Sequence, residues 1–121
     1  MAKIILTVDD SASIRQMVSL TLSGAGYSVI EARDGSEGYT KATTNTVNAI
    51  ITDLNMPVMN GLEFIRKFRT HPTSKGVPII LLTTESDDEL KRQAKEAGAL
   101  GWIVKPFKQD QLLAVIKKVA G

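Results

Sequence analysis

The chain carries 121 residues, with 15 basic against 13 acidic side chains, a net charge of +2 and no cysteine. A length of that order suits one domain, here residues 1–121, and the cysteine count excludes a disulfide framework and a thiolate metal site. No apolar stretch nears the roughly 20 residues of a membrane span. Met1-Ala2-Lys3 enters a strand pattern without a signal-peptide core. Lysines and arginines such as Arg66, Lys67, Arg69, Lys91, Arg92, Lys95, Lys117 and Lys118 are interleaved with acids, as on a solvated surface and unlike a nucleic-acid patch. The expectation is a cytoplasmic monomer that engages neither membrane nor nucleic acid.

The first apolar run, Ile4–Val8, has the composition of a buried strand and ends in Asp9-Asp10. A helical period follows from about Ser13 to Ala25, with Ile14, Met17, Val18, Thr21 and Ala25 on one face and Gly24 and Gly26 closing it. Ser28–Glu31 reads as the second strand. The helix after it, Ser36–Thr44, is weak: Gly38 costs roughly 1 kcal/mol relative to alanine, and only Tyr39 and Ala42 offer burial. The third strand, Ala49–Thr52, runs straight into Asp53. Asn60 is placed to cap a helix over Gly61–Thr70, whose apolar members are Leu62, Phe64, Ile65 and Phe68 and which Pro72 ends.

Val77–Leu82 is the fourth strand. The next helix, Asp87–Ala97, opens on Asp87-Asp88-Glu89, which suit the positive end of a helix dipole. Its buried stripe is only Leu90, Ala94 and Ala97, so it is weakly held and a candidate moving element. Gly101–Val104 is the fifth strand. Gln109–Ala120 is a well-formed final helix with Leu112, Leu113, Val115, Ile116, Val119 and Ala120 on one side.

Strands alternating with helices in this way predict an α/β fold, a doubly wound five-stranded parallel sheet covered on both faces in a flavodoxin-like three-layer sandwich. Right-handed crossovers favour the order 2-1-3-4-5, in which strands one and three meet at the switch point where a ligand crevice forms. That order brings Asp9, Asp10 and Asp53 together. Crowded carboxylates repel one another unless a cation sits among them, and a hard divalent ion held by oxygens, magnesium where phosphate is involved, is the natural remedy. Strand four ends in Thr83-Thr84-Glu85 and strand five in Lys105-Pro106-Phe107, at the same edge. Lys105 can bring a cation, and Thr83 a hydroxyl donor, to anionic oxygens.

Other chemistries lack their parts: there is no G-x-G-x-x-G turn, no Walker lysine motif and no G-x-S-x-G elbow. His71, the only histidine, precedes Pro72 at a helix end and reads as a solvated side chain.

Asp9-Asp10, Asp53 with Asn55-Met56-Pro57 and Asn60-Gly61, Thr83, and Lys105-Pro106-Phe107 together resemble the receiver domain of two-component response regulators, over the whole chain. The resemblance is greatest to the stand-alone chemotaxis type. It implies that Asp53 is the phosphoacceptor, that Asp10 and Asp53 bind Mg2+ by side chain, Asn55 by its backbone carbonyl and Asp9 through water, and that Thr83 and Lys105 bind the phosphoryl oxygens. It implies a cis peptide at Lys105–Pro106. It also implies tuning of the phosphoryl lifetime by Asn55, Thr84 and Glu85, and a switching aromatic on strand five, here Trp102 where tyrosine is typical. The implied partners are a histidine kinase upstream, a flagellar motor switch protein downstream and a phosphatase, with protein binding as the output since the chain ends at Gly121. Two alternatives stand beside this: a phosphorelay intermediate serving a histidine phosphotransfer protein, and a phosphohydrolase with an aspartyl-phosphate intermediate. The latter commonly carries a second acid two residues after its nucleophile, where this chain has Asn55.

Overall fold

A computed structural model describes residues 2–85 and 87–121. The elements follow one another as β1 (Ile4–Val8), α1 (Ala12–Gly24), β2 (Ser28–Ala32), α2 (Gly35–Thr44), β3 (Ala49–Asp53), α3 (Gly61–Arg69), a single 3-10 turn (Pro72–Ser74), β4 (Ile79–Thr83), α4 (Asp88–Ala97), β5 (Gly101–Val104) and α5 (Gln109–Ala120). The strands form one sheet in the order β2-β1-β3-β4-β5, every pair parallel. The central strands β3 and β4 are buried at every position, as a sheet covered on both faces requires.

Alternation along each strand divides the core in two. Leu6, Val8, Ile50, Ile79 and Leu81 pack with α2, α3 and α4, around the fully buried rings of Phe64 and Phe68. Ile5, Ile51, Ile80, Leu82 and Ile103 pack with α1 and α5 through Val18, Leu22, Leu112 and Ile116. Each such side chain contributes about 1.5–3 kcal/mol relative to its exposed state.

Four sequence expectations shift. The buried stripe of α1 is Val18 and Leu22, flanked by Ile14, while Ala25 is exposed. The helix stops at Gly24, so Ala25 is its C-cap and no longer follows the helical period. Strand β4 starts at Ile79, two residues later than Val77. The Val77 N–H is spent on the Ser74 carbonyl, and Pro78 has no N–H to give. In α2, Gly38 is itself buried, and a Cβ there would lie 3.0 Å from Val8 Cγ2 and 3.3 Å from Phe64 Cε1. Its helical cost therefore permits close approach of α2 to β1 and α3. His71 is half-buried and accepts the Thr73 N–H at 3.2 Å, capping the 3-10 turn.

Candidate functional site

At the carboxyl edge, β1 hands over to Asp9, whose N–H still bonds to the Ala32 carbonyl of β2 at 3.0 Å. The Asp9 side chain is 1 % exposed, and its Oδ1 accepts the Ser11 N–H at 2.9 Å. Ser11 in turn caps α1 by accepting the Ile14 N–H. Asp10, the next residue, is exposed. Asp53 is the last residue of β3, buried at 7 % exposure, and its Oδ1 accepts the Leu54 N–H at 3.0 Å. Carboxylate oxygens of Asp9, Asp10 and Asp53 all lie within 4.8 Å of one another.

The backbone behind Asp53 is built for closeness. Asn60 and Glu63 form a reciprocal capping box at the start of α3, and the Gly61 N–H bonds to the Leu54 carbonyl at 2.8 Å. A Cβ on Gly61 would stand 2.3 Å from the Asp53 carbonyl oxygen, so only glycine allows α3 to begin there.

Lys105, just past β5, reaches back over both buried acids. Its Nζ donates to Asp53 Oδ1 at 2.8 Å and lies 3.5 Å from Asp9 Oδ2. Burial alone would lower its pKa; the hydrogen bond to Asp53 and the charges of Asp9 and Asp53 outweigh burial and hold it above the ordinary lysine value. Asp9 is pushed up, by burial first and then by the charge of Asp53, against the lowering pull of the Ser11 N–H and Lys105. The lysine favours Asp53, its short partner, and leaves Asp9 undercompensated.

Thr83 ends β4 at 2 % exposure, and its Oγ1 accepts the Glu85 N–H at 2.9 Å. The Lys105 N–H bonds to the Thr83 carbonyl at 2.8 Å, which ties the two strand ends together. Thr84 and Glu85 follow on the exposed rim, and Asn55 is exposed two residues beyond Asp53. The Lys105–Pro106 peptide is cis. Trp102 stands apart from the acids, 39 % exposed on β5, with Lys91 Nζ of α4 over its ring at 4.8 Å. A crevice too narrow for a water molecule separates it from Leu81, Thr83, Leu90 and Ala94. Asp9, Asp10, Asp53, Thr83 and Lys105 thus meet at one edge, with Thr84, Glu85 and Asn55 on its rim. Sequence reasoning passed over Arg15, whose Nη1 donates to the Asp9 carbonyl at 2.6 Å, and the close approach at Gly61.

The donors suit a hard divalent cation. They are oxygens, two of the three carboxylates are buried, and Asp9 resists ionisation without further positive charge. The Asn55 carbonyl is engaged by no hydrogen bond among the described residues and remains a ready ligand. Among those residues, no helix is long and apolar enough to cross a membrane.

Comparison with known proteins agrees with this geometry. Residues 5–117 match the response regulator receiver domain. The chain is 40% identical over 119 residues to chemotaxis protein CheY1 of Helicobacter pylori, covering 97% of this chain and 96% of that one. Its structure resembles that of Vibrio cholerae chemotaxis protein CheY4 with a TM-score of 0.95 at 48% identity, covering 98% of this chain and 99% of that one. The receiver domain of the Pseudomonas aeruginosa sensor histidine kinase PA1611, solved with a magnesium ion coordinated in its active-site cleft, aligns with a TM-score of 0.91 at 27% identity over 100% of this chain and 99% of that one.

Proposed function

The chain belongs to the response regulator receiver family, as a CheY-like member of two-component signalling, and we propose that residues 1–121 act as one phosphorylation-switched binding module in chemotaxis. The observation that carries this reading is the buried Asp53 carboxylate, gripped by Lys105 at 2.8 Å inside a cluster of three acids at the sheet edge.

Asp53 Oδ1 is occupied by Lys105 and the Leu54 N–H, whereas Oδ2 has no partner among the described residues. Oδ2 is therefore the attacking atom. Its lone pair forms a bond to the phosphorus of a phosphohistidine on the kinase, the P–N bond breaks, and the imidazole departs with the bonding pair. Charge spreads over the equatorial oxygens as the group transfers. Lys105 lies beside those oxygens, and the Thr83 hydroxyl, which accepts from Glu85, keeps its own proton free to donate to them. Asp10, Asp53 and the Asn55 carbonyl, with Asp9 through water, would hold Mg2+, whose charge would add to that of Lys105 at the transferring group.

The product is an acyl phosphate, which water hydrolyses, so the signal expires unaided or with help from a phosphatase. Asn55, Thr84 and Glu85 border the path of that water and set its access. Thr83 and Lys105 lie at the ends of β4 and β5, and the surface they adjoin, α4, β5 with Trp102, and α5, carries the output. The reading places the module in the cytoplasm, between a chemotaxis-type histidine kinase and a flagellar motor switch protein. It is a signalling protein whose only chemistry is its own phosphorylation and dephosphorylation.

The similarity to a receiver domain of a sensor kinase favours one second reading, a relay that passes the group to another histidine protein. Phosphorylation-dependent affinity for a motor-switch peptide separates the two. The central test is incubation with a small phosphodonor and Mg2+, followed by intact-mass analysis. Wild type should gain one phosphoryl group and Asp53→Asn none; stable phosphate on the variant, or none on wild type, sinks the proposal.

A further inference from the structure

Helices α2, α3, α4 and α5 place acids in their opening turns, namely Glu37, Glu63, Asp88 with Glu89, and Asp110. Helix α1 places none there, and Arg15 stands one turn beyond its Ser11 cap. A cation at that end opposes the helix dipole, so the stability of α1 does not account for it. The side chain turns back over the sheet edge and is only 18% exposed. Nη1 donates to the Asp9 carbonyl at 2.6 Å, and Nε faces Glu31 Oε1 of β2 at 3.4 Å.

Strand β1 has ended at Val8, and beyond it the Asp9 carbonyl accepts no backbone hydrogen bond among the described residues. The guanidinium takes the place of that rung. We infer that Arg15 is a positioning residue for the acid pair: it locks the peptide between Asp9 and Asp10 and thereby the point from which Asp10 projects. The Asp9 side chain has the Ser11 N–H and Lys105 to hold it. The exposed Asp10 side chain has no hydrogen bond or ion pair among the described residues, so its aim depends on the backbone behind it. The planar fork matters, because one nitrogen engages the carbonyl while another faces Glu31; a lysine ammonium carries the charge without that geometry. Arg15 touches neither Asp53 nor Thr83 nor Lys105 through any hydrogen bond or ion pair.

This inference rests on the proposed binding of Mg2+ by these acids. The test is calorimetric titration of the full, unphosphorylated chain with magnesium chloride, for wild type, Arg15→Lys and Arg15→Gln. It is paired with thermal melts in chelator and with phosphorylation rates from a small phosphodonor at saturating Mg2+. Both variants should bind Mg2+ about tenfold more weakly, as loss of a partner behind a metal ligand does, while the rate at saturation stays within about twofold of wild type because the acceptor side is untouched. Wild-type affinity in Arg15→Lys overturns the inference, since charge alone then suffices. A saturating rate that falls together with the metal-free melting temperature overturns it too, as general damage. Absence of Mg2+ binding in wild type overturns both this inference and the metal part of the proposed function.

Discussion

Helices α3 and α4 lie on the same side of the sheet and rise from the same edge, yet they are held in opposite ways. Helix α3 buries Gly61, Leu62, Phe64, Ile65 and Phe68, closes its first turn with a reciprocal cap, and comes so near the Asp53 backbone that a methyl group has no room. Helix α4 buries Leu90, Ala94 and Ala97. Its other ties include the Asp87 cap on the Leu90 N–H, the Arg69 guanidinium of α3 on the carbonyl of its C-cap Gly98 at 2.8 Å, exposed pairs of Arg92 with Glu89 and Glu96, and Lys91 over the Trp102 ring, and exposed ion pairs contribute little. The carboxylate proposed as phosphoacceptor thus stands beside the helix with the larger buried face, and Thr83 beside one with a smaller buried face. A site that must position a reacting atom gains from the first, and a switch that must respond to a few hydrogen bonds needs the second.

The contrast can be broken or sharpened by substitution. Phe64→Ala should destabilise the whole protein by about 3–5 kcal/mol in urea unfolding, because Phe64 is fully buried beneath α2 and β1. Gly61→Ala should cost ~3 kcal/mol, the upper range for overpacking, since the clash is with backbone; a loss under ~1 kcal/mol would show that α3 is less tightly seated than its geometry says. Leu90→Ala, at the thin interface of α4, should cost about 2 kcal/mol. Its clearer mark is hydrogen exchange, accelerated through α4 amides while β3 amides keep their protection. Equal acceleration in both elements would dissolve the distinction between them.

A subtler effect comes from Asp9. Its pKa is raised by burial and by Asp53, so the folded state binds the proton more tightly than the unfolded chain does. The stabilisation Asp9 contributes is complete below the ordinary aspartate value of 3.8 and is lost as pH rises through the higher folded value. Ionised Asp9 therefore works against the metal-free fold at neutral pH. Asp9→Asn should raise the melting temperature in chelator at pH 7 and abolish the added stability that Mg2+ gives wild type; a lower melting temperature would contradict this. The smallest effect is expected on the rim, where Thr84→Ala should speed loss of the phosphoryl group less than tenfold, under ~1.4 kcal/mol in barrier. An unchanged lifetime removes Thr84 from the water path.

The sheet order and the meeting of Asp9, Asp10, Asp53, Thr83 and Lys105 were legible in the sequence, because the ends of apolar runs mark the carboxyl edge to within one residue of where the strands stop. So were Asn60 as a cap and the thin stripe of α4. What was not legible depends on how elements approach one another. Gly38 read as a defect until α2 was seen against Val8 and Phe64. Leu22 and Ala25 exchange roles because the end of α1 is set by its cap. Val58 adopts a φ of 70 with its side chain 82% exposed, a conformation nothing in a β-branched residue announces. Arg15 had a faint signature, a cation where the other helices carry acids, but its target is a carbonyl and carbonyls leave no mark in a sequence.

The bond from the Glu85 N–H to the Thr83 hydroxyl has a mechanical meaning. Two residues beyond Glu85, the Asp87 carboxylate fastens α4 by accepting the Leu90 N–H at 2.7 Å. Hydroxyl and helix cap thus stand four residues apart in the sequence, each fixed by a hydrogen bond of its own. An anion that draws the Thr83 oxygen toward itself strains the bond to the Glu85 N–H first, at the start of the segment that leads into α4.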